Sequence, residues 1–79
     1  MLSEEFEDLY RYKGMDNLAS VLDSQGKYEE AEKMHRQTLG LGEKVLGREH
    51  PDTLTSMNNL ALVLRSQGKY DEAQKFTYT

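Results

Sequence analysis

Seventy-nine residues, 37% apolar and 30% charged, make one domain at most, with a core near the size that yields only about 3–5 kcal/mol of stability. The net charge of −4 is dispersed along the chain, and without a stripe of clustered Lys and Arg to displace phosphate counterions, nucleic-acid binding is not expected. The chain has no cysteine, which removes disulfides, thiolate metal sites and cysteine nucleophiles together; no apolar run approaches the roughly 20 residues of a membrane span and the first residues lack the pattern of a signal peptide, so a cytoplasmic protein is expected.

The first segment, residues 1–14, has helix-forming features. Ser3 suits an N-cap, Glu4 and Glu5 suit a first turn, and Phe6, Leu9 and Tyr10 share a face. It reads either as a helix start that covers the edge of the first repeat or as the accidental end of a truncated chain. From Met15 a first helix continues through Leu18, Ala19 and Leu22 to Gly26, which accepts the left-handed backbone common at helix C-termini. A second helix comes next, with Tyr28, Ala31, Met34, Thr38 and Leu39 on one side. Glu29 with Lys33 and Glu32 with Arg36, acid before base at i, i+4, mark its solvent face. Gly40 and Gly42 each cost about 1 kcal/mol relative to Ala inside a helix, so a soft segment is expected there before Gly47 ends the element. His50-Pro51-Asp52 then opens a third helix: Pro lacks an N–H that would find no partner in a first turn, and Asp complements the dipole.

The third helix carries Met57, Leu60, Ala61 and Leu64 at i, i+3, i+4 and i+7 and stops at Gly68. A fourth begins at Tyr70 and runs toward Ala73 and Phe76. Shifting the sequence by 42 residues lays residues 15–34 over residues 57–76 with 14 of 20 positions identical, so the chain is an internal repeat. Repeat 1 is assigned to residues 15–50 and repeat 2 to 51–79, the latter cut short in its second helix; residues 1–14 match nothing in the period. A helical hairpin of this kind cannot bury its apolar face alone and stacks on neighbours. The expected fold is all-α, an α-solenoid fragment of about two helix-turn-helix hairpins.

The strings NNLALVL, QGKYDEA and EKVLGREHPDTL resemble the tetratricopeptide repeats, and specifically the 42-residue variant of kinesin light chains. The resemblance covers about residues 15–75. It implies that Leu60, Ala61, Tyr70 and Ala73, with Leu18, Ala19, Tyr28 and Ala31 in the first copy, are packing positions. It also implies that the first helix of each hairpin lines a concave groove for a partner peptide or protein.

At 100° per residue the polar side of the third helix carries Thr55, Asn58, Leu62 and Arg65, with Asn59 at its margin. The equivalents in the first copy are Lys13, Asp16, Ser20, Asp23 and Ser24, with Asn17 beside them; Asn17, Ser20 and Asp23 join the five of the third helix. These eight residues are the candidate partner contacts. Leu62 is either an anchor or a scattered exposed apolar residue, and Asn17 and Asn59 bond either a peptide backbone or the neighbouring repeat. Asp23 and Arg65 occupy equivalent positions with opposite charge, so no preference for acidic or basic peptides is expected.

No catalytic constellation stands out. His35 and His50 lack nucleophile or ligand partners in pattern, and the acid pairs Glu29-Glu30 and Asp71-Glu72 open helices where negative charge is favoured. A phosphate loop needs glycine where Val21 and Val63 stand, and Gly40-Leu41-Gly42 has no strand before it. The expected function is a non-enzymatic interaction module without metal or cofactor. The alternatives are a fragment that dimerises through Tyr70, Ala73 and Phe76, or an accessory region of a larger protein.

Overall fold

The computed structural model describes residues 4–76 of the chain, with the side chains of residues 6–76. Ser3, the expected first cap, and residues 77–79 lie outside the described residues. Four helices run in order: α1 (Glu4–Ser24), α2 (Tyr28–Val45), α3 (Pro51–Ser66) and α4 (Tyr70–Gln74). Each packs on the next, giving two hairpins in a thin slab of 44 × 28 × 14 Å. The fold is an all-α tandem of helical hairpins, and there is no strand among the described residues.

The two tight turns are built alike. Gly26 and Gly68 take φ of 76° and 80°, a region that costs glycine nothing and other residues a clash at Cβ. In the first turn Lys27 N–H reaches the Leu22 carbonyl at 3.0 Å and Gly26 N–H the Asp23 carbonyl at 3.0 Å; in the second Lys69 reaches Leu64 and Gly68 reaches Arg65, both at 2.9 Å. This paired closure satisfies the last helical carbonyls and fixes the reversal. At the start of α3, Pro51 occupies the first turn and His50 does more than precede it in a loop. Its Nδ1 accepts the Asp52 N–H at 3.1 Å, so the imidazole caps the helix.

The core gathers Ala31 and Leu39 of α2, Leu60, Ala61, Val63 and Leu64 of α3, and Ala73 of α4, with Leu22, Met57 and Phe76 packed against it. It is centred on α3, the helix covered on both sides. Three packing expectations change as a result. Leu18 is half exposed where its counterpart Leu60 is buried, because among the described residues no hairpin packs on the outer side of α1 as the first hairpin packs on α3. Tyr28 and Tyr70 are exposed; each opens its helix at the turn, beyond the end of the core cluster. Ala73 is buried, as a packing position, and not open to a second chain as the dimer alternative has it.

Residues 4–14 continue α1 without a break. They do not cover the edge of repeat 1, where Leu18 and Val21 remain half exposed. Instead they reach across α2. Asp8, buried, lies 3.4 Å from Lys44. Tyr12 is buried, with its hydroxyl donating to the Asp52 carbonyl at 2.7 Å and lying 2.6 Å from Ser56 Oγ.

The place where Tyr12 crosses α2 is Gly42. A Cβ there would stand 2.8 Å from Tyr12 Cε1 and 3.4 Å from Thr53 Oγ1, whereas one on Gly40 would meet nothing within 4 Å. The helix runs unbroken through both. Gly42 is therefore a close-packing position between α1, α2 and α3 and not merely a weak point in the helix.

The expected solvent pair Glu32–Arg36 is the junction between the hairpins. Glu32 Oε1 accepts from Gln67 Nε2 at 2.9 Å and Lys69 Nζ at 3.0 Å, and Oε2 accepts from Arg36 Nε at 2.9 Å. Arg36 also pairs with Glu72 and lies over the Phe76 ring. Burial alone pushes the Glu32 carboxyl up, but the hydrogen bonds from Lys69, Gln67 and Arg36, with the Lys69 charge, outweigh it and hold the group at about 2. The Arg36 guanidinium is raised in turn, first by its hydrogen bond to Glu32.

Candidate partner-binding groove

α1 and α3 are the first helices of their hairpins, and Tyr12 of α1 reaches α3 at Asp52 and Ser56. Between them is a cavity of about 320 Å³ lined by Tyr12, Lys13, Asp16, Asn17, Asp52 and Thr55. Of the eight candidate contacts it brings together Asn17 and Thr55. Ser20, Asn58, Leu62 and Arg65 are exposed outside its lining, and Asn59 is half buried there. Leu62, at 50% exposure, stays an apolar side chain on a polar helix face.

Asp23 does not stand free in a groove. Its Oδ2 accepts from His35 Nε2 at 2.9 Å across the α1–α2 hairpin, and the histidine ring is 1% exposed. The pair ties the hairpin together, since a buried imidazole without a partner is costly. His35 Nδ1 is buried with no hydrogen-bond partner among the described residues, so among them the Asp23 contact is the ring's whole polar satisfaction.

The cavity lining holds acceptors. Asp16 Oδ1 is buried without a hydrogen-bond partner among the described residues, and Thr55 donates its hydroxyl hydrogen to the Pro51 carbonyl at 3.0 Å. The Tyr12 phenol is raised by burial, partly offset by its bond to Ser56, and the Asp16 and Asp52 carboxylates raise it further. Lys13, exposed, supplies a positive charge at the same cavity. Such a site suits a polar segment that brings at least one donor to Asp16. Tyr12 and Asp52 were not among the sequence candidates. Tyr12 lies in the segment with no repeat counterpart to compare, and Asp52 reads from sequence only as a helix-start acid.

Repeated hairpins closed by a Gly turn, stacked through a shared core and presenting first helices side by side, coincide with a family profile. The profile of the tetratricopeptide repeat matches residues 10–76. The chain belongs to the tetratricopeptide-repeat family. Tetratricopeptide repeats are in general protein–protein interaction modules, and the family is typically a non-enzymatic scaffold. No curated protein matches this tetratricopeptide-repeat chain. Among the described residues there is no cluster of three or more possible metal ligands and no helix long and apolar enough to cross a membrane.

Proposed function

We propose that this tetratricopeptide-repeat chain presents the groove between α1 and α3 to a polar peptide segment of a protein partner, as a scaffold of the 42-residue kind found in kinesin light chains. The observation that carries the reading is the cavity in which Asn17 and Thr55 meet Asp16, whose Oδ1 is buried and unpaired. Turned toward the cavity, that oxygen would accept an amide N–H or a basic side chain of the partner, which makes donors the favoured chemistry at this point. Asn17 can then bond the partner's backbone through both ends of its amide. Asn58, Asn59, Leu62 and Arg65 extend the same face of α3 and would contact a longer segment, with Leu62 as an apolar anchor. A cytoplasmic setting belongs to this reading, and the cysteine-free composition is compatible with it.

The test begins with peptides selected from a random display library on the full chain. Their affinities are then measured for wild type, Asp16→Asn, Asn17→Ala and Leu62→Glu. A groove binder loses about tenfold or more on Asn17→Ala, the loss of one good polar contact, and on Asp16→Asn it loses charge assistance while an acceptor remains, which weakens a basic donor more than an amide. Equal affinity for all four proteins would sink the assignment.

A further inference from the structure

Repeat 2 shows what happens to the outer side of a first helix when a neighbour covers it. Leu60 and Val63 are each 1% exposed, while Leu18 and Val21, 42 residues earlier, are 48% and 50% exposed. The second helix of the same hairpin does not account for this. Repeat 1 has the longer one, 18 residues against the 5 of α4, and still leaves its pair open. Leu60 and Val63 are covered by the preceding hairpin, whose Ala31 and Leu39 share their cluster.

The turns repeat the contrast. Gln67 and Lys69 hold Glu32 of the preceding helix at 2.9 and 3.0 Å, and Glu72 takes Arg36. Gln25, Lys27 and Glu30, at the same positions in repeat 1, are exposed, and their side chains have no hydrogen-bond or ion-pair partner among the described residues. Along α1 the open stripe continues from Val21 and Leu18 to Tyr10, within an arc of about 80° at 100° per residue. Between them Gly14 leaves its Cβ space empty, and its counterpart Ser56 is buried, so a small side chain stands at this position in both hairpins.

We propose that this outer face of α1, with the turn of Gln25, Gly26 and Lys27, docks an amphipathic helix of a partner that carries the pattern Ala-Glu-x-x-x-Arg-x-x-Leu. The pattern is that of Ala31, Glu32, Arg36 and Leu39, the residues of α2 that meet the same face in repeat 2. The glutamate is clasped by Gln25 and Lys27, the arginine pairs with Glu30, and the alanine and leucine cover Leu18 and Val21. The apolar stripe supplies the area, and the clasp sets the register and direction of the helix.

The probe is a peptide with the sequence of residues 28–46, held helical by a side-chain bridge between its outward positions 29 and 33, titrated into the full chain with amide shifts followed by NMR. Shifts are expected at Leu18, Val21 and Lys27. Glu32→Lys in the peptide weakens binding by about tenfold or more, and Lys27→Glu in the chain restores it. Leu18→Asp in the chain abolishes binding while lowering the melting temperature by no more than about 8 °C, since Leu18 is half exposed. Three results would each overturn the proposal: equal binding of the unaltered and Glu32→Lys peptides, shifts centred on Leu60 and Val63 through replacement of α2, or shifts confined to the α1–α3 groove. A fourth is a dimer of the peptide-free chain, seen by light scattering and dispersed by Leu18→Asp, which would make a second copy the occupant.

Discussion

Two glycines in one helix should respond to the same substitution with opposite signs. Gly40→Ala adds a methyl into open space in the middle of α2, so only the helix-propensity gain remains, about 1 kcal/mol of stabilisation. Gly42→Ala has that gain too, but its Cβ would stand 2.8 Å from Tyr12 Cε1. The ring has little freedom to retreat. It is buried, and its hydroxyl is held by the Asp52 carbonyl and Ser56 Oγ. Overpacking costs about 1–3 kcal/mol, and straining those hydrogen bonds adds about 1 kcal/mol, which against the propensity gain leaves a net loss of about 1–3 kcal/mol. The two variants then differ by at least about 2 kcal/mol, or roughly 8–16 °C in melting temperature for a domain of this size. Thermal and urea unfolding followed by circular dichroism at 222 nm measures both. Tyr12→Ala in each background supplies a control, because it should cancel the Gly42 penalty and leave the Gly40 gain intact. If Gly42→Ala stabilises as much as Gly40→Ala, the close approach of α1 to α2 at Gly42 is refuted.

Glu32 makes the stability acid-sensitive. Its folded value of about 2 lies below the ordinary 4.5, so its contribution is complete above about pH 4.5 and disappears as pH falls through about 2. The full shift corresponds to about 3 kcal/mol, reduced to about 1–2 kcal/mol because Lys69 and Arg36 are partly exposed. Urea unfolding of wild type and Glu32→Gln should show a gap that closes over this range, and a gap that persists at pH 2 contradicts the reading. Leu60→Ala should cost about 2–5 kcal/mol and Leu18→Ala less than about 1 kcal/mol, and equal losses would mean that the two repeats are covered alike. Asp23→Ala leaves the buried His35 ring unpaired and should cost about 1–3 kcal/mol. A change within about 0.5 kcal/mol, ordinary for a surface residue, would return Asp23 to the groove.

The helix boundaries, both Gly turns and the Pro51 start were legible in the sequence because each rests on interactions within a few residues. A Gly after an apolar face and a Pro before one carry their meaning locally. The candidate groove was legible only in part. Asn17 and Thr55 are reached from helical period alone, since the period says which side of a helix is polar. The bond of Asp23 to His35 was not legible because its partner lies 12 residues away on another helix, and no periodicity of α1 reports what α2 brings opposite. Tyr12 was missed because the only comparison the sequence offers, its own second copy, does not reach residues 1–14.

The sequence by itself determined a tandem helical repeat of 42 residues, with its turns and the apolar face of each helix, through backbone preference and the helical period of about 3.6 residues. Tertiary structure alone decided which of two near-identical positions is core and which is surface, as with Leu60 and Leu18. It also turned Glu32 and Arg36 from an exposed pair into the joint between hairpins, and Gly42 from a weak helical residue into a point of contact. The physical reason is the same in each case. Burial depends on what stands opposite, and in a stacked repeat the covering surface belongs to the neighbouring unit, so identical residues acquire different roles according to their place in the stack.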